Sequence, residues 1–170
     1  AHEQGIVYLD HKLEHVYWDG THLQIIDFNS SRQLEGDLRS ADNAQLRRMD
    51  VHNLCVGILY PLFTGMSPRM TTLRPQPGTL ADVHARYRDI TELDFGVEPT
   101  LSAGIKTLLQ RGAAQELAEP SDFLEGLHAA AALHGWDFPD HYTSPASRDA
   151  RAQLRAGLTR NSKGQELVRE

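Results

Sequence analysis

The stretch GIVYLDHKLEHVYWDGTHLQIIDFNSSR, residues 5–32, contains two short apolar runs, VYW and LQII. Both runs are rich in residues that favour strands, and the Asp19-Gly20 dipeptide between them is typical of a type I′ turn. The pattern therefore predicts a β-hairpin over residues 16–26. Asp10 and Lys12 lie in a loop before this hairpin, and a second acid, Asp27, follows its second strand.

Helical periodicity begins after a polar segment, residues 29–40, that has no clear period and is predicted to be a loop. From Asp50 the apolar residues recur at the spacing of a helix and cover its whole circumference, which predicts a buried helix over residues 50–64. Pro61 is expected to kink the last turn of this helix, and Ser40 is a candidate cap for a helix that enters at residue 41. The apolar residues of the predicted buried helix are Val51, Leu54, Cys55, Val56, Gly57, Ile58, Leu59, Tyr60, Leu62 and Phe63.

Three further helices are predicted around the buried helix, over residues 80–91, 100–111 and 121–134, with Thr79 and Asp82 as a helix-start signal for the first. The fold class is therefore mainly α (α+β), with a small hairpin. We expect a main domain over residues 1–140. Residues 141–170 are predicted to form a linker and a tail with one short helix near 149–160.

Composition narrows the class of protein. The chain has 170 residues, 40% hydrophobic content and a net charge of −6, which suits one globular domain and gives no reason to expect nucleic-acid binding. Its single cysteine, Cys55, excludes a disulfide framework and a Cys-rich zinc site, and favours a reducing, cytoplasmic location. The longest apolar stretch is too short to span a bilayer, so no membrane association is expected.

The order of these features resembles the large, C-terminal lobe of a Ser/Thr protein kinase. The family motif is His-Arg-Asp-Leu-Lys-x-x-Asn, then a hairpin, then Asp-Phe-Gly; this chain has Tyr-Leu-Asp-His-Lys-Leu-Glu-His, a hairpin and Asp-Phe-Asn. The resemblance implies that Asp10 is the catalytic base, that Lys12 contacts phosphate and that Asp27 is the metal ligand. It also implies that Asp50 ties the buried helix to the catalytic loop, and that Asp10 and Asp27 lie side by side.

The departures from the family pattern all point toward lost activity. His15 stands at the position of an asparagine that would hold the nucleotide's second metal, and imidazole is a poor ligand for Mg²⁺. Tyr8 and Leu9 replace the His-Arg pair, Asn29 replaces the glycine, and no Ala-Pro-Glu motif occurs between Asp27 and Asp50. The glycine-rich half that grips ATP is expected to be missing from this chain. We therefore expect a pseudokinase-like regulatory module that binds other proteins through its helical face, with no cofactor of its own, and with ATP and Mg²⁺ only if it is active.

Two alternatives remain open from the sequence. The chain could be the large lobe of an active, atypical Ser/Thr kinase whose small lobe is supplied upstream or by a partner. It could instead be a structural helical adaptor, in which case Asp10 and Asp27 should not converge. A bare nucleotide edge would be partly apolar, so self-association into a homo-oligomer is also expected. A zinc pair formed by His11 and His15 is disfavoured, because a loop followed by a strand breaks the helical spacing it would need.

Overall fold

The computed structural model describes residues 1–38, 40–67 and 79–136, and within them the chain is mixed α and β. It divides into two compact units, Ala1–Ala130 and Ala131–Glu170. In the second unit the described residues are the last turn of a helix and the stacked rings of His134 and Trp136. The predicted boundary at residue 140 and the predicted tail helix at 149–160 lie outside the described residues.

Two small antiparallel sheets lie in the first part of the chain. Strand β1 (Ile6–Val7) follows a short 3-10 turn and pairs with β4 (Arg32–Gln33), so the predicted loop over residues 29–40 contains a short strand. Strands β2 (Val16–Trp18) and β3 (Leu23–Ile25) form the predicted hairpin, with Trp18 opposite Leu23.

The turn of the hairpin differs from the prediction. Gly20 has a φ of 97°, whereas Asp19 and Thr21 do not adopt positive φ, so the turn is not type I′ on Asp19-Gly20. The Asp19 carboxylate instead accepts hydrogen bonds from the backbone N–H groups of Thr21 (2.8 Å) and His22 (2.6 Å). This side-chain cap holds the loop in another shape, as Asp often does in turns.

The buried helix is longer than predicted. It begins at α1 (Ala41–Leu54), passes through a π-helical turn (Cys55–Leu59) and ends with α2 (Tyr60–Thr64); we call residues 41–64 the central helix. Ser40 caps it as expected, since its hydroxyl accepts from the Asn43 N–H. The π-helical turn lies just before Pro61, which lacks the N–H that a regular α-helical ladder needs.

Burial of the central helix matches the prediction over its middle part, where residues 50–58 are buried apart from Leu54, whereas Leu62 is 59% exposed. Its partners include α4 (Ala103–Ala113) and α5 (Pro120–Leu133). A Cβ atom on Gly112 would lie 2.3 Å from the Cys55 Sγ, so only glycine permits this approach of α4 to the central helix. Gly112 lies inside α4, one residue beyond the end of the helix predicted over residues 100–111. The main core is formed by Val51, Cys55, Ile105, Leu108, Leu109, Leu117, Phe123 and Ala130.

The helix predicted over residues 80–91 is much shorter in the structure. Helix α3 covers only Leu80–His84, started by the predicted Thr79–Asp82 capping box. After it, the backbone of residues 85–90 makes hydrogen bonds three residues apart, as between Ile90 N–H and Tyr87 C=O. Such tight turns place apolar residues on one side much as a helix does, so the periodicity misleads.

The central helix holds the loop at residues 8–11 through polar groups. The Asp50 carboxylate accepts hydrogen bonds from the Leu9 N–H (2.6 Å) and from His2 Nε2 (2.7 Å). Asn53, one turn later, donates from its side chain to the Leu9 carbonyl (2.9 Å). At Gly57 the helix backbone lies so close to the loop that a Cβ atom there would be 2.3 Å from the His11 carbonyl oxygen.

No helix among the described residues is long and apolar enough to cross a membrane.

Replacing Asp50 by alanine should destabilise the protein strongly. The change leaves the buried Leu9 N–H and His2 without their acceptor, which typically costs about 3–5 kcal/mol of the free energy of unfolding for a broken buried charged pair. Urea unfolding followed by circular dichroism measures this loss. Asp50→Asn is the matched control: its amide oxygen still accepts from Leu9, so it should lose clearly less. Equal losses in the two variants would contradict the assigned role.

Candidate functional site

The candidate site is the space between the loop before the hairpin and Asp27. Two residues beside it have left-handed backbone conformations that side chains disfavour, Leu9 (φ 67°) and Asp27 (φ 60°). Leu9 is held by its hydrogen bonds to Asp50 and Asn53. Strained backbone of this kind concentrates at functional sites, where the surrounding structure compensates its cost.

Asp10 lies at the bottom of the site and is 5% exposed. Its two carboxylate oxygens face different cations. Oδ2 lies 3.2 Å from the Lys12 Nζ, and Oδ1 lies 3.1 Å from an Arg86 guanidinium nitrogen. A buried carboxylate needs such partners to remain ionised. The sequence predicted that Asp10 and Lys12 belong together, but nothing in it linked Arg86, in the turns after α3, to Asp10.

His15 lies between the two acids. Its Nε2 is 3.7 Å from the Asp27 Oδ2 and its Nδ1 is 4.0 Å from the Asp10 Oδ2. One ligand atom from each of Asp10, His15 and Asp27 lies within 4.8 Å of the others. The four residues predicted for the site therefore lie together: Asp10, Lys12, His15 and Asp27. The alternative of a structural adaptor led us to expect that Asp10 and Asp27 would lie apart.

Tyr8 fixes which nitrogen of His15 carries hydrogen. The Tyr8 hydroxyl donates its single hydrogen to the Ile26 carbonyl oxygen, and it lies 2.8 Å from His15 Nδ1. The hydroxyl can then only accept from His15, so Nδ1 carries the hydrogen. In the neutral ring the lone pair is on Nε2, which points toward Asp27 and lies 3.4 Å from the Lys12 Nζ.

Burial raises the pKa of Tyr8 to about 12, and the negative charges of Asp10, Asp27 and Asp50 raise it in the same direction. The phenol therefore keeps its proton at neutral pH and remains the donor to Ile26. The Tyr8 hydroxyl therefore gives the His15 ring a defined orientation.

A second polar cluster lies behind the loop and was not predicted. His2 Nδ1 lies 2.7 Å from a Glu119 oxygen and His2 Nε2 lies 2.7 Å from the Asp50 Oδ2. Because both partners are carboxylates, both ring nitrogens must donate, which requires the charged ring. Burial opposes this charge, but the hydrogen bonds to Asp50 and Glu119 outweigh it and raise the pKa of His2. Burial would raise the pKa of Asp50, but His2, His11 and the backbone N–H groups lower it.

A cavity of about 400 Å³ opens beside Lys12 and Arg86. Its wall includes Gly57, Pro61 and Tyr87, so it lies where the central helix passes the loop. The two cations that pair with Asp10 thus border both the acidic site and this cavity.

Neither the models of known protein families nor the sequences of curated proteins match this chain.

The buried ring of His11 should make stability depend on pH. Burial lowers the pKa of His11 to about 4, although the charge of Asp50 opposes that shift. The unfolded chain takes up this proton near pH 6.5 and the folded chain only near pH 4, so this contribution to stability is present above 6.5 and is lost as pH falls toward 4. In His11→Gln, the drop in unfolding free energy between pH 7 and pH 5 should be smaller by about 2 kcal/mol.

Urea unfolding at the two pH values measures this difference. His22→Gln is the control, because His22 is exposed in the hairpin loop and should leave the pH dependence unchanged. An identical pH dependence in His11→Gln and the wild type would contradict a neutral, buried His11.

Proposed function

We propose that this chain is a degenerate large lobe of a Ser/Thr protein-kinase-like domain. In this proposal it acts as a regulatory module that binds protein partners and does not itself transfer phosphate from ATP. The order of Asp10, Lys12, hairpin and Asp27 along the sequence supports the relationship, as does the hydrogen bond that the Leu9 N–H donates to the Asp50 carboxylate. The convergence of Asp10, Lys12 and Asp27 on His15 supports it further.

The proposal of lost activity rests on the burial of Asp10 and on its two cationic neighbours. A catalytic base must lie within hydrogen-bond reach of the substrate hydroxyl. Asp10 is 5% exposed, and both of its oxygens already face cations, Lys12 and Arg86. With His15 filling the space beside it, the carboxylate is committed to the protein rather than presented to a substrate.

The donor set also fits Mg²⁺ poorly. Mg²⁺ requires near-octahedral oxygen coordination and is normally held on ATP by carboxylate and amide oxygens. Here the position that would supply the amide oxygen has an imidazole, His15, whose Nε2 points toward Asp27. Electrostatic stabilisation and positioning provide most of the rate in phosphoryl transfer, so a misfit at the metal removes much of it.

The hairpin supports a binding role. Apolar side chains are exposed just before the hairpin, along both of its strands and just after them, and exposed apolar patches mark interaction sites. Trp18 and Leu23, paired across the hairpin, are 63% and 61% exposed. We propose that this hairpin surface binds protein partners, including a second copy of the chain. Its exposed members are Leu13, Tyr17, Trp18, Leu23, Ile25, Ile26 and Phe28.

A second candidate function is that of an active, atypical kinase, with Asp10 as base, Lys12 as phosphate contact and Asp27 as metal ligand. It is favoured by one observation, the 40% exposure of the Asp27 side chain, which leaves this carboxylate accessible to a ligand. The two candidates differ in whether Asp10 is ever freed from its cations.

Phosphotransfer assays decide between them. The chain incubated with radiolabelled ATP, Mg²⁺ and a generic protein substrate should transfer no more phosphate than its Asp10→Asn variant. In thermal denaturation, ATP with Mg²⁺ should not raise the melting temperature, because a ligand stabilises a protein only by binding its folded state. Transfer that is lost in Asp10→Asn, or a thermal shift that is lost in Asp27→Asn, would establish the second candidate instead.

The double variant Trp18→Ser, Leu23→Ser should weaken self-association. Burying apolar surface contributes about 25 cal/mol per Å², so removing two large paired side chains should weaken an interface at the hairpin by more than tenfold. Sedimentation velocity over a range of concentrations measures the change. Leu124→Ser is the control, since Leu124 on α5 is also exposed, at 47%. Wild-type behaviour in the double variant would exclude the hairpin as the contact surface.

A further inference from the structure

We propose that Asp10, His15 and Asp27 form a site for a borderline divalent metal ion such as Zn²⁺ or Co²⁺, in preference to Mg²⁺. The proposal goes beyond the function proposed above, because it depends on the donor atoms and not on kinase ancestry. It makes His15 a metal ligand, whereas in the kinase pattern His15 stands where a Mg²⁺ ligand is missing.

The donors are of the right type and nearly in place. Zn²⁺ is bound by imidazole nitrogen and carboxylate oxygen at about 2.0–2.2 Å, which puts neighbouring donors about 3.4 Å apart. The His15 Nε2 and the Asp27 Oδ2 are 3.7 Å apart, and one ligand atom from each of the three residues lies within 4.8 Å of the others. Closing this set to the spacing of Zn²⁺ donors requires approaches of up to about 1.4 Å, to which the half-exposed Asp27 side chain is able to contribute.

The surroundings of His15 are those of a metal-binding histidine. Such histidines usually bind through one nitrogen while the other donates to an oxygen that fixes the ring. Here Nδ1 donates to the Tyr8 hydroxyl, which in turn donates to the Ile26 carbonyl. That chain leaves the lone pair on Nε2, the nitrogen that faces Asp27. Tyr8 is thus a positioning residue for the proposed site.

The Lys12 ammonium group lies beside two of the three proposed donor residues. Its Nζ lies 3.2 Å from the Asp10 Oδ2 and 3.4 Å from His15 Nε2, which are two of the proposed donors. The other Asp10 oxygen faces Arg86, so one oxygen of this carboxylate is available to exchange partners. A divalent ion competes with the Lys12 ammonium group, and binding should release Lys12 toward the cavity that it borders.

Metal titration of the full chain tests the proposal. Isothermal titration calorimetry with Zn²⁺ should show one site that Mg²⁺ does not fill, and Co²⁺ should give a visible absorption band from nitrogen and oxygen ligands. His15→Asn should abolish the Co²⁺ band. It should also weaken Zn²⁺ binding by at least the roughly 10- to 100-fold that is typical when a residue orienting a metal ligand is removed. Tyr8→Phe should weaken binding by about 10-fold or more without abolishing it. Lys12→Met should tighten it, because a competing cation is gone.

His22→Asn is the matched control. His22 and Asp19 form an exposed histidine–carboxylate pair 3.4 Å apart on the same hairpin, without the buried partners of His15. Binding should be unchanged in this variant. If His15→Asn does not fold, Asp27→Asn tests the same site, since its side chain is 40% exposed and tolerates the change.

Three results would overturn the proposal. These are unchanged Zn²⁺ binding in both His15→Asn and Asp27→Asn, equal affinity of the wild type for Mg²⁺ and Zn²⁺, and equal loss in His22→Asn. None of them bears on phosphotransfer, which is assayed separately with ATP. The titrations therefore test the metal site independently of whether the chain transfers phosphate.

Discussion

One buried carboxylate, that of Asp50, determines where the candidate site can be. It accepts from the Leu9 N–H at 2.6 Å and from His2 at 2.7 Å, both within the first ten residues of the chain. Because Asp50 belongs to the central helix and the neighbouring Val51 contributes to the main core, the loop takes its position from a buried helix that packs in the main core. The left-handed backbone at Leu9 is maintained by this bond and by Asn53. The orientation of Asp10, the next residue, follows from it.

Charge around the loop is balanced pair by pair. His2 lies between Asp50 and Glu119, Lys12 and Arg86 face the two oxygens of Asp10, and Arg47 contacts Glu119 at 2.7 Å. Buried acids are stable in such a place only when each has a cation or several donors. The same balance supports the proposal of lost activity, since both oxygens of the buried Asp10 carboxylate lie beside fixed cations. It also makes metal binding an exchange of cations, with Lys12 as the group displaced.

His15 connects the two functional interpretations. In the kinase-like proposal it stands where an oxygen ligand would be, which weakens the fit to Mg²⁺. In the metal-site proposal it is an imidazole oriented by Tyr8, which suits a softer ion. The hairpin strands that follow it expose apolar side chains such as Trp18 and Leu23.

Local features of the fold were predictable from the sequence because they depend on neighbours along the chain. The hairpin, the Ser40 cap, the Thr79–Asp82 capping box and the burial of residues around Val51 all follow from short-range patterns, and the structure has them. The sequence marked the start of the central helix at Ser40 but did not show that its polar first turns continue into the buried part predicted over residues 50–64. Asn43 is nevertheless buried there, since it donates to the carbonyl oxygens of Glu35 and Asp37.

The sequence by itself determined which residues of the site are present: two acids, a lysine and a histidine in a fixed order around a hairpin. Only the tertiary structure decided their partners, which are Arg86 for Asp10, His2 for Asp50 and Tyr8 for His15. The first two pairs join residues that are distant along the chain, and hydrogen bonds and ion pairs of this range leave no periodic trace in a sequence. The third pair is close in sequence, but its direction depends on the Ile26 carbonyl across the hairpin. These partners decide whether each acid is free, enclosed or ready to bind a metal ion, because the chemistry of a buried group is set by the charges and donors that surround it.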